Sequence, residues 1–416
     1  MTVARTRGFP AGAPSCTSPQ AALRSISSQS KAEPTLLGSL HPLLLLHSSA
    51  PRSHLSMPSI YTLDQFFLQG REDTMRCSRE RLLVLVVLGL WATCSRVAEG
   101  GTKLPLNGLV LHYYSKNTQC TEAETLITRA VRKAWQKDPS IAPALLRLLY
   151  SDCFTRGCDA SILLDGKGSE KEAPQNAGLR GFDVIDAIKH ELESKCLGVV
   201  SCADILHLAT RDAVALAGGW KYPVFTGRRD GNESDAKTVD LPPPSISWDA
   251  ALSYFESRGL DVLDLGTLLG AHTMGVTHCR YVHDRIYNFN DTGLPDDLMD
   301  CRFARQLAKT CPYRYAPDQP DPTVFLNPHS GGNFTFESSY YSRVLDNQAV
   351  LGIDQQFVTS KDGVRIAGEY ASDFDDFNRY FALAISRMGS IGVLTGSQGE
   401  IRRSCRFTNA HHPKSK

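Results

Sequence analysis

The stretch RLLYSDCFTRGCD, residues 147–159, gathers Arg147, Asp152, Cys153, Cys158 and Asp159 around a single turn. A cation, two carboxylates and two sulfurs so close together are costly to leave uncompensated in an interior. The residues just upstream nevertheless read as interior. Residues 141–150 carry Leu145, Leu146, Leu148 and Leu149, the pattern of a buried helix that delivers the polar cluster at its end.

Working outward, the pattern stays helical. Thr121-x-x-Glu124 reads as a capping box, opening a segment with Leu126, Ile127, Ala130, Val131 and Ala134 at helical spacing. Ser201-x-x-Asp204 opens another helix, which stops at Gly218-Gly219. Residues 260–271 and 377–388 give two more. Strand signals are few and short. Loops rich in Gly, Pro and Asp, notably 235–247 and 313–334, separate the helices, and no repeat is visible. The expectation is an all-α fold whose loops need cross-links.

The chain has 416 residues, 42% hydrophobic and 21% charged, ample for a large core. A formal net charge of +1 implies no electrostatic steering toward nucleic acid or anionic membranes. The twelve cysteines do not follow zinc-ligand spacing and favour disulfides in an oxidising compartment. Three sequons, at Asn232, Asn290 and Asn333, point the same way. Residues 1–74 are rich in Ser, Pro, Ala and Arg without a sustained period, as expected of a disordered segment or one that is not translated. Met75 is followed by basic residues and the apolar run LLVLVVLGLWATC, residues 82–94, the layout of a signal peptide over 75–99 with cleavage near 98–101. If 1–74 are translated, 82–94 becomes an internal anchor instead, though it is short for a membrane span. The remainder, 100–416, is the expected catalytic domain.

Seven blocks between Leu109 and Asn409, in order, make the chain resemble the secreted plant haem peroxidases (class III): RLLYSDCFTRGCDASILLD, LRGFDVIDAIK, VSCADILHLATRDAVALAGG, TGRRDG, DLGTLLGAHTMGVTHCR, RIYNFNDTG and RMGSIGVLTGSQGEIRRSCR. The resemblance implies an all-α fold of two helical halves with haem b between them and four disulfides: Cys120–Cys196, Cys153–Cys158, Cys202–Cys405 and Cys279–Cys311. Cys301 falls outside those pairs. It also implies His272, in GAHTMG, as the axial iron ligand and Asp354, in LGIDQQF, as the acceptor for its second nitrogen, which orients the ring and raises its basicity.

On the opposite face, peroxide cleavage asks for a proton-carrying base and a cation. Arg147 matches the cation, and Asn176 matches the amide that orients the family's distal histidine. At the histidine position stands Ser151, whose hydroxyl does not bind a proton near neutral pH; Tyr150 stands where the family has Phe. Asp152, Thr155 and Gly157 (through their carbonyls), Asp159 and Ser161 match one calcium site, with Glu170 reaching it through water. Thr273 matches the first ligand of a second site whose other ligand loop is altered, with Glu337 at an Asp position and His329 near another. Pro242 matches the residue lining access for small phenols. Asp204 with Arg228 or Arg229 matches a buried ion pair.

The expected function is a secreted or wall-localised enzyme that removes hydrogen peroxide by oxidising phenolic donors. Its expected partners are peroxide, those donors and cell-wall polymers, and it is expected to act as a monomer. Ser151 leaves an alternative: a weak or inactive haem-binding relative that binds the wall or senses peroxide.

Overall fold

The stretch 141–150, expected to be a buried helix, packs against a helix that is itself buried along most of its length. The computed structural model describes residues 107–314 and 319–412; the extension, the leader and the cleavage site lie outside them. The main helices are α1 (Ala123–Lys137), α2 (Ile141–Cys153), α3 (Phe182–Lys195), α4 (Cys202–Leu216), α5 (Trp248–Glu256), α6 (Val262–Leu269), α7 (Cys301–Thr310), α8 (Ser339–Leu345), α9 (Lys361–Ser372) and α10 (Phe374–Met388). Helix α4 is buried from Cys202 to Val214, because α1, α2 and α3 all pack around it. A helix buried on every side requires such surroundings, and its polar members are met there by partners, Asp204 by Arg228 and Arg211 by Glu124 and Asp212.

The other half gathers α6, α9 and α10 with α5 and α8. Its interior is aromatic, with Phe336, Phe377, Phe381, Tyr341 and Tyr370 in mutual edge and stacked contact. One apolar cluster runs through both halves, and a smaller one fills the space under α7. The fold is all-α, as expected. Among the described residues the strands form two antiparallel pairs: β1 (Val110–Leu111) with β2 (Phe225–Thr226), and β3 (Val276–His278) with β4 (Thr323–Phe325). Strand β4 lies inside the expected 313–334 loop, whose described part therefore includes a short strand.

All four disulfides form with the expected pairing. Cys202–Cys405 spans 203 residues and ties the C-terminal segment to the start of α4; in the chain-entropy picture a loop that long is worth about 5 kcal/mol. Cys301 is disulfide-bonded as well, which corrects its standing as a leftover.

Two local expectations are corrected. Helix α1 starts at Ala123 with no side-chain cap, because Glu124 turns away to Arg211 (3.1 Å) and His112 (3.1 Å). Helix α6 stops at Leu269, so His272 sits on a tighter 3-10 turn, Gly270–Thr273, rather than within a helix. Ser201 does cap α4, accepting from the Asp204 backbone N–H at 3.1 Å. The Asp204 carboxylate instead pairs with Arg228 (2.8 Å), not Arg229.

Candidate active site

Helix α2 carries Arg147 and Ser151 four residues apart and therefore on one face. Its opposite face, with Leu145, Leu148, Leu149 and Cys153, is buried against the core. The Arg147 guanidinium donates to the carbonyls of Ala177 (3.1 Å) and Gln175 (3.3 Å), fixing the short turn that holds Asn176. Asn176 is buried, and its Nδ2 donates to the Glu170 carbonyl at 2.8 Å. That bond fixes which end of the amide is which and leaves Oδ1 as an acceptor. Among the described residues no donor reaches Oδ1, Ser151 included. The Ser151 side chain is buried, and its carbonyl accepts from the Thr155 hydroxyl at 2.8 Å.

His272 faces the same space from the other half, and the positive charge of Arg147 is felt at its ring. Its Nδ1 lies 2.8 Å from Asp354 Oδ1. A carboxylate only accepts, so Nδ1 carries the proton and Nε2 presents its lone pair. Burial alone would depress the imidazole pKa. The charge and hydrogen bond of Asp354 overcome this and hold it above the ordinary value, with Arg147 opposing. This donor set fits a haem iron: one accessible neutral nitrogen, with the second nitrogen locked to a carboxylate. Sequence reasoning missed a third member. Tyr340, at the start of α8, donates to the same Asp354 Oδ1 at 2.7 Å. Burial, then the nearby Asp354 charge, pushes its phenol pKa well up, so it stays a donor.

The loop after α2 holds the first expected calcium site. Asp152 accepts from the N–H groups of Ala160 (3.0 Å) and Ile162 (3.4 Å), and Asp159 from Ser161 (3.0 Å). The approach of the next segment is so close that a Cβ at Gly231 would stand 2.2 Å from Asp159 Oδ2. Both carboxylate oxygens of Glu170 and the hydroxyl of Ser161 are buried without a hydrogen-bond partner among the described residues. Burial, followed by the charges of Asp159 and Glu170, pushes the Asp152 pKa well up. Burial raises Asp159 too, and brings Glu170 to about 7. The buried cation beneath them is Arg402, which donates to the Ala160 carbonyl at 2.6 Å but also lies 3.9 Å from Asp230. Three carboxylates thus exceed the local positive charge, and the bare oxygens fit a hard divalent cation. Thr155 and Gly157 lie on this loop, as expected.

The second loop differs. Thr273 is buried beside His272, but what faces it is the side-chain amide of Asn327, at 3.3 Å. Glu337 is paired with His329 at 2.9 Å. Pro242 is half-buried in the loop after Asp240, and Asp240 itself is clamped by Arg258 at 2.7 Å. One further cluster, Cys153, Cys158 and His207, has ligand-like spacing, but its sulfurs are joined as a disulfide. His207 there is held neutral by burial, then by Arg228.

Comparison with known proteins decides the family. A family model described as "Peroxidase" matches residues 127–373. "Probable peroxidase 61" of Arabidopsis thaliana is 58% identical over 330 residues, covering 79% of this chain and 97% of the relative. "Probable peroxidase 26" of the same plant is 55% identical over 328 residues, covering 79% and 98%. The chain belongs to the peroxidase family. "Peroxidase 28", also of Arabidopsis thaliana, is 43% identical over 307 residues, covering 72% of this chain and 93% of its own length. This peroxidase therefore carries the all-α haem peroxidase fold, and its family implies haem, hydrogen peroxide and small electron donors.

Proposed function

We propose that this chain is a secreted haem peroxidase that oxidises small phenolic donors with hydrogen peroxide, and that Ser151 makes its first step slow. Haem b held through His272 Nε2 would supply the redox chemistry, passing two electrons to peroxide and regaining them one at a time from donors. Arg147, a fixed cation on the opposite face, would stabilise negative charge developing on the leaving peroxide oxygen. Asp354 keeps the His272 ring oriented and its proton on Nδ1. The Pro242 loop would border donor access. One calcium ion would neutralise the carboxylates of Asp152 and Asp159, with the carbonyls of Thr155 and Gly157, the hydroxyl of Ser161, and Glu170 acting through water.

The observation that carries the reading is the unpaired Oδ1 of buried Asn176. It is an acceptor suited to an imidazole N–H at position 151, where the chain has a hydroxyl that reaches nothing there. The proton on the near peroxide oxygen then has no base to receive it and return it to the far oxygen. The same observation favours the second reading, a haem-binding relative with little turnover. Stopped-flow mixing of haem-loaded protein with peroxide separates them: a slow but complete spectral change with donor-dependent recovery supports the enzyme, and no change supports the non-enzymatic relative.

Secretion rests on the disulfides and on Asn232, Asn290 and Asn333, all exposed and open to glycosylation. Among the described residues no helix is long and apolar enough to cross a membrane. The first residue of the secreted protein, read by mass spectrometry, is expected near 98–101; peptides from 1–74 would revive the internal anchor over 82–94.

A further inference from the structure

The loop expected to hold a second calcium is built around a nitrogen. Asn327 is 2% exposed. Its Nδ2 donates toward three oxygens, Ser339 Oγ at 2.9 Å, Glu337 Oε1 at 3.2 Å and Thr273 Oγ1 at 3.3 Å. The amide is not free to turn over, because the His329 backbone N–H donates to Asn327 Oδ1 at 3.2 Å. Turning it would set N–H against N–H and withdraw the donors from all three oxygens. The N–H hydrogens therefore fill the position on which those oxygens converge.

A calcium ion asks for six to eight oxygens with their lone pairs inward and for several carboxylates. Of the three oxygens that Asn327 meets, the one carboxylate is that of Glu337, and its Oε1 is further engaged by Ser339 Oγ (2.8 Å) and His329 Nδ1 (2.9 Å). The contrast with the loop after α2 is direct: there, carboxylate and hydroxyl oxygens are buried without partners, whereas here each named oxygen has a donor.

We infer that the Asn327 carboxamide replaces a second calcium ion in this peroxidase. It joins the segment of the iron-ligand candidate, through Thr273, to the start of α8, through Glu337 and Ser339. Two neutral N–H donors do the cross-linking that a cation would otherwise do, so this half of the molecule holds its shape at any calcium concentration. The inference is independent of the Ser151 reading. It touches the first calcium site only through a control.

The test is calcium content per chain, measured by elemental analysis on the secreted, haem-loaded protein after dialysis against micromolar calcium. One ion per chain is expected, falling to none in Asp152→Asn. Two ions in the natural protein, or one that survives Asp152→Asn, would overturn the inference. Because Asp152→Asn risks misfolding, Asn327→Asp supplies a second arm. A carboxylate at that position removes the donor and adds charge beside Thr273, Glu337 and Ser339. The content should rise to two, with the second ion removable by chelator. No gain in a folded Asn327→Asp protein would show that the amide is not what fills the position.

Discussion

The two faces of the candidate active site are finished to different degrees. On the proximal face, among the described residues, the polar groups around the open His272 Nε2 are partnered: His272 Nδ1 on Asp354, Tyr340 on Asp354, and Asn327 on Thr273, Glu337 and Ser339. On the distal face Asn176 Oδ1, both oxygens of Glu170 and the hydroxyl of Ser161 are buried without one. Leaving a polar atom buried and unpaired costs about 1–3 kcal/mol, so such atoms mark where the fold was shaped around something else. Beside Glu170 and Ser161 the surplus of negative charge fits a cation. Beside Asn176 the open atom is an acceptor, and the proposed reading is that an imidazole N–H at position 151 would fill it.

The largest effect tests the complete face. His272→Ala removes the sole accessible nitrogen of the proximal pair, and the Soret band of a five-coordinate high-spin haem should vanish or shift strongly. An unchanged spectrum would assign the iron to another residue. The next tests the incomplete face. Ser151→His gives Asn176 Oδ1 a donor and the site a base, and the rate of the spectral change on mixing with peroxide should rise by roughly 10²–10⁴. If the natural protein is already as fast as the variant, Ser151 is no handicap. The comparison sharpens in a double variant. Asn176→Ala should barely alter peroxide reactivity in the natural enzyme, whose amide orients no base, but should reverse roughly ten- to hundredfold of the gain in Ser151→His, the scale typical of a group that orients a functional histidine through its other nitrogen.

A smaller effect is expected from chelation. A site held at about a hundred times its dissociation constant contributes about 2.7 kcal/mol, so stripping calcium should lower the melting temperature by about 4 °C. The loss should be concentrated in the loop from Asp152 to Glu170, read as faster amide exchange there. A melting temperature indifferent to chelator would break the cation reading of Glu170 and Ser161.

These contrasts were unevenly legible in the sequence. The pairing of Arg147 with Ser151 follows from their spacing on one helix, and the strong apolar patterns of α2 and α4 reveal those helices directly. Helix α3 had a readable signal in Ile185, Ile188 and Leu192, which are all buried. Helix α7 likewise has a readable stripe in Phe303, Ala304 and Leu307, all buried, whereas α8 spans only seven residues, too few for a pattern to stand out. The family resemblance pointed to His272 from within one of its blocks, and to Asn176 and Asp354 from the short segments beside them. Arg402 and Asn327 were out of reach for a physical reason. Arg402 meets Ala160 across 242 residues and Asn327 meets Thr273 across 54, and a single sequence carries no record of such meetings. Nor can it say which end of an asparagine amide points inward, and that orientation separates a cation ligand from a cation substitute.

The smallest effect concerns Tyr340, within the face that looks complete. Two donors share one oxygen: His272 Nδ1–H at 2.8 Å and Tyr340 Oη–H at 2.7 Å both point at Asp354 Oδ1. Each draws electron density from the carboxylate and weakens its hold on the other's proton. Tyr340 thus limits how much negative character Asp354 lends to the His272 ring, and so how strongly the ring donates to a metal on Nε2. Tyr340→Phe keeps the ring against Tyr341 and Phe357 and removes only the hydroxyl. Loss of one buried hydrogen bond should lower stability by about 1 kcal/mol. A rebalancing of the same size, felt by one electron at the iron, corresponds to ~40 mV. The ferric form should gain, so the reduction potential should fall by about that much and the iron–histidine stretching frequency should rise. If Tyr340 were only a packing residue, stability would drop while potential and frequency stayed where they were. A potential that rose instead would mean the hydroxyl had been strengthening the Asp354–His272 bond, and the shared-oxygen argument would be wrong in sign.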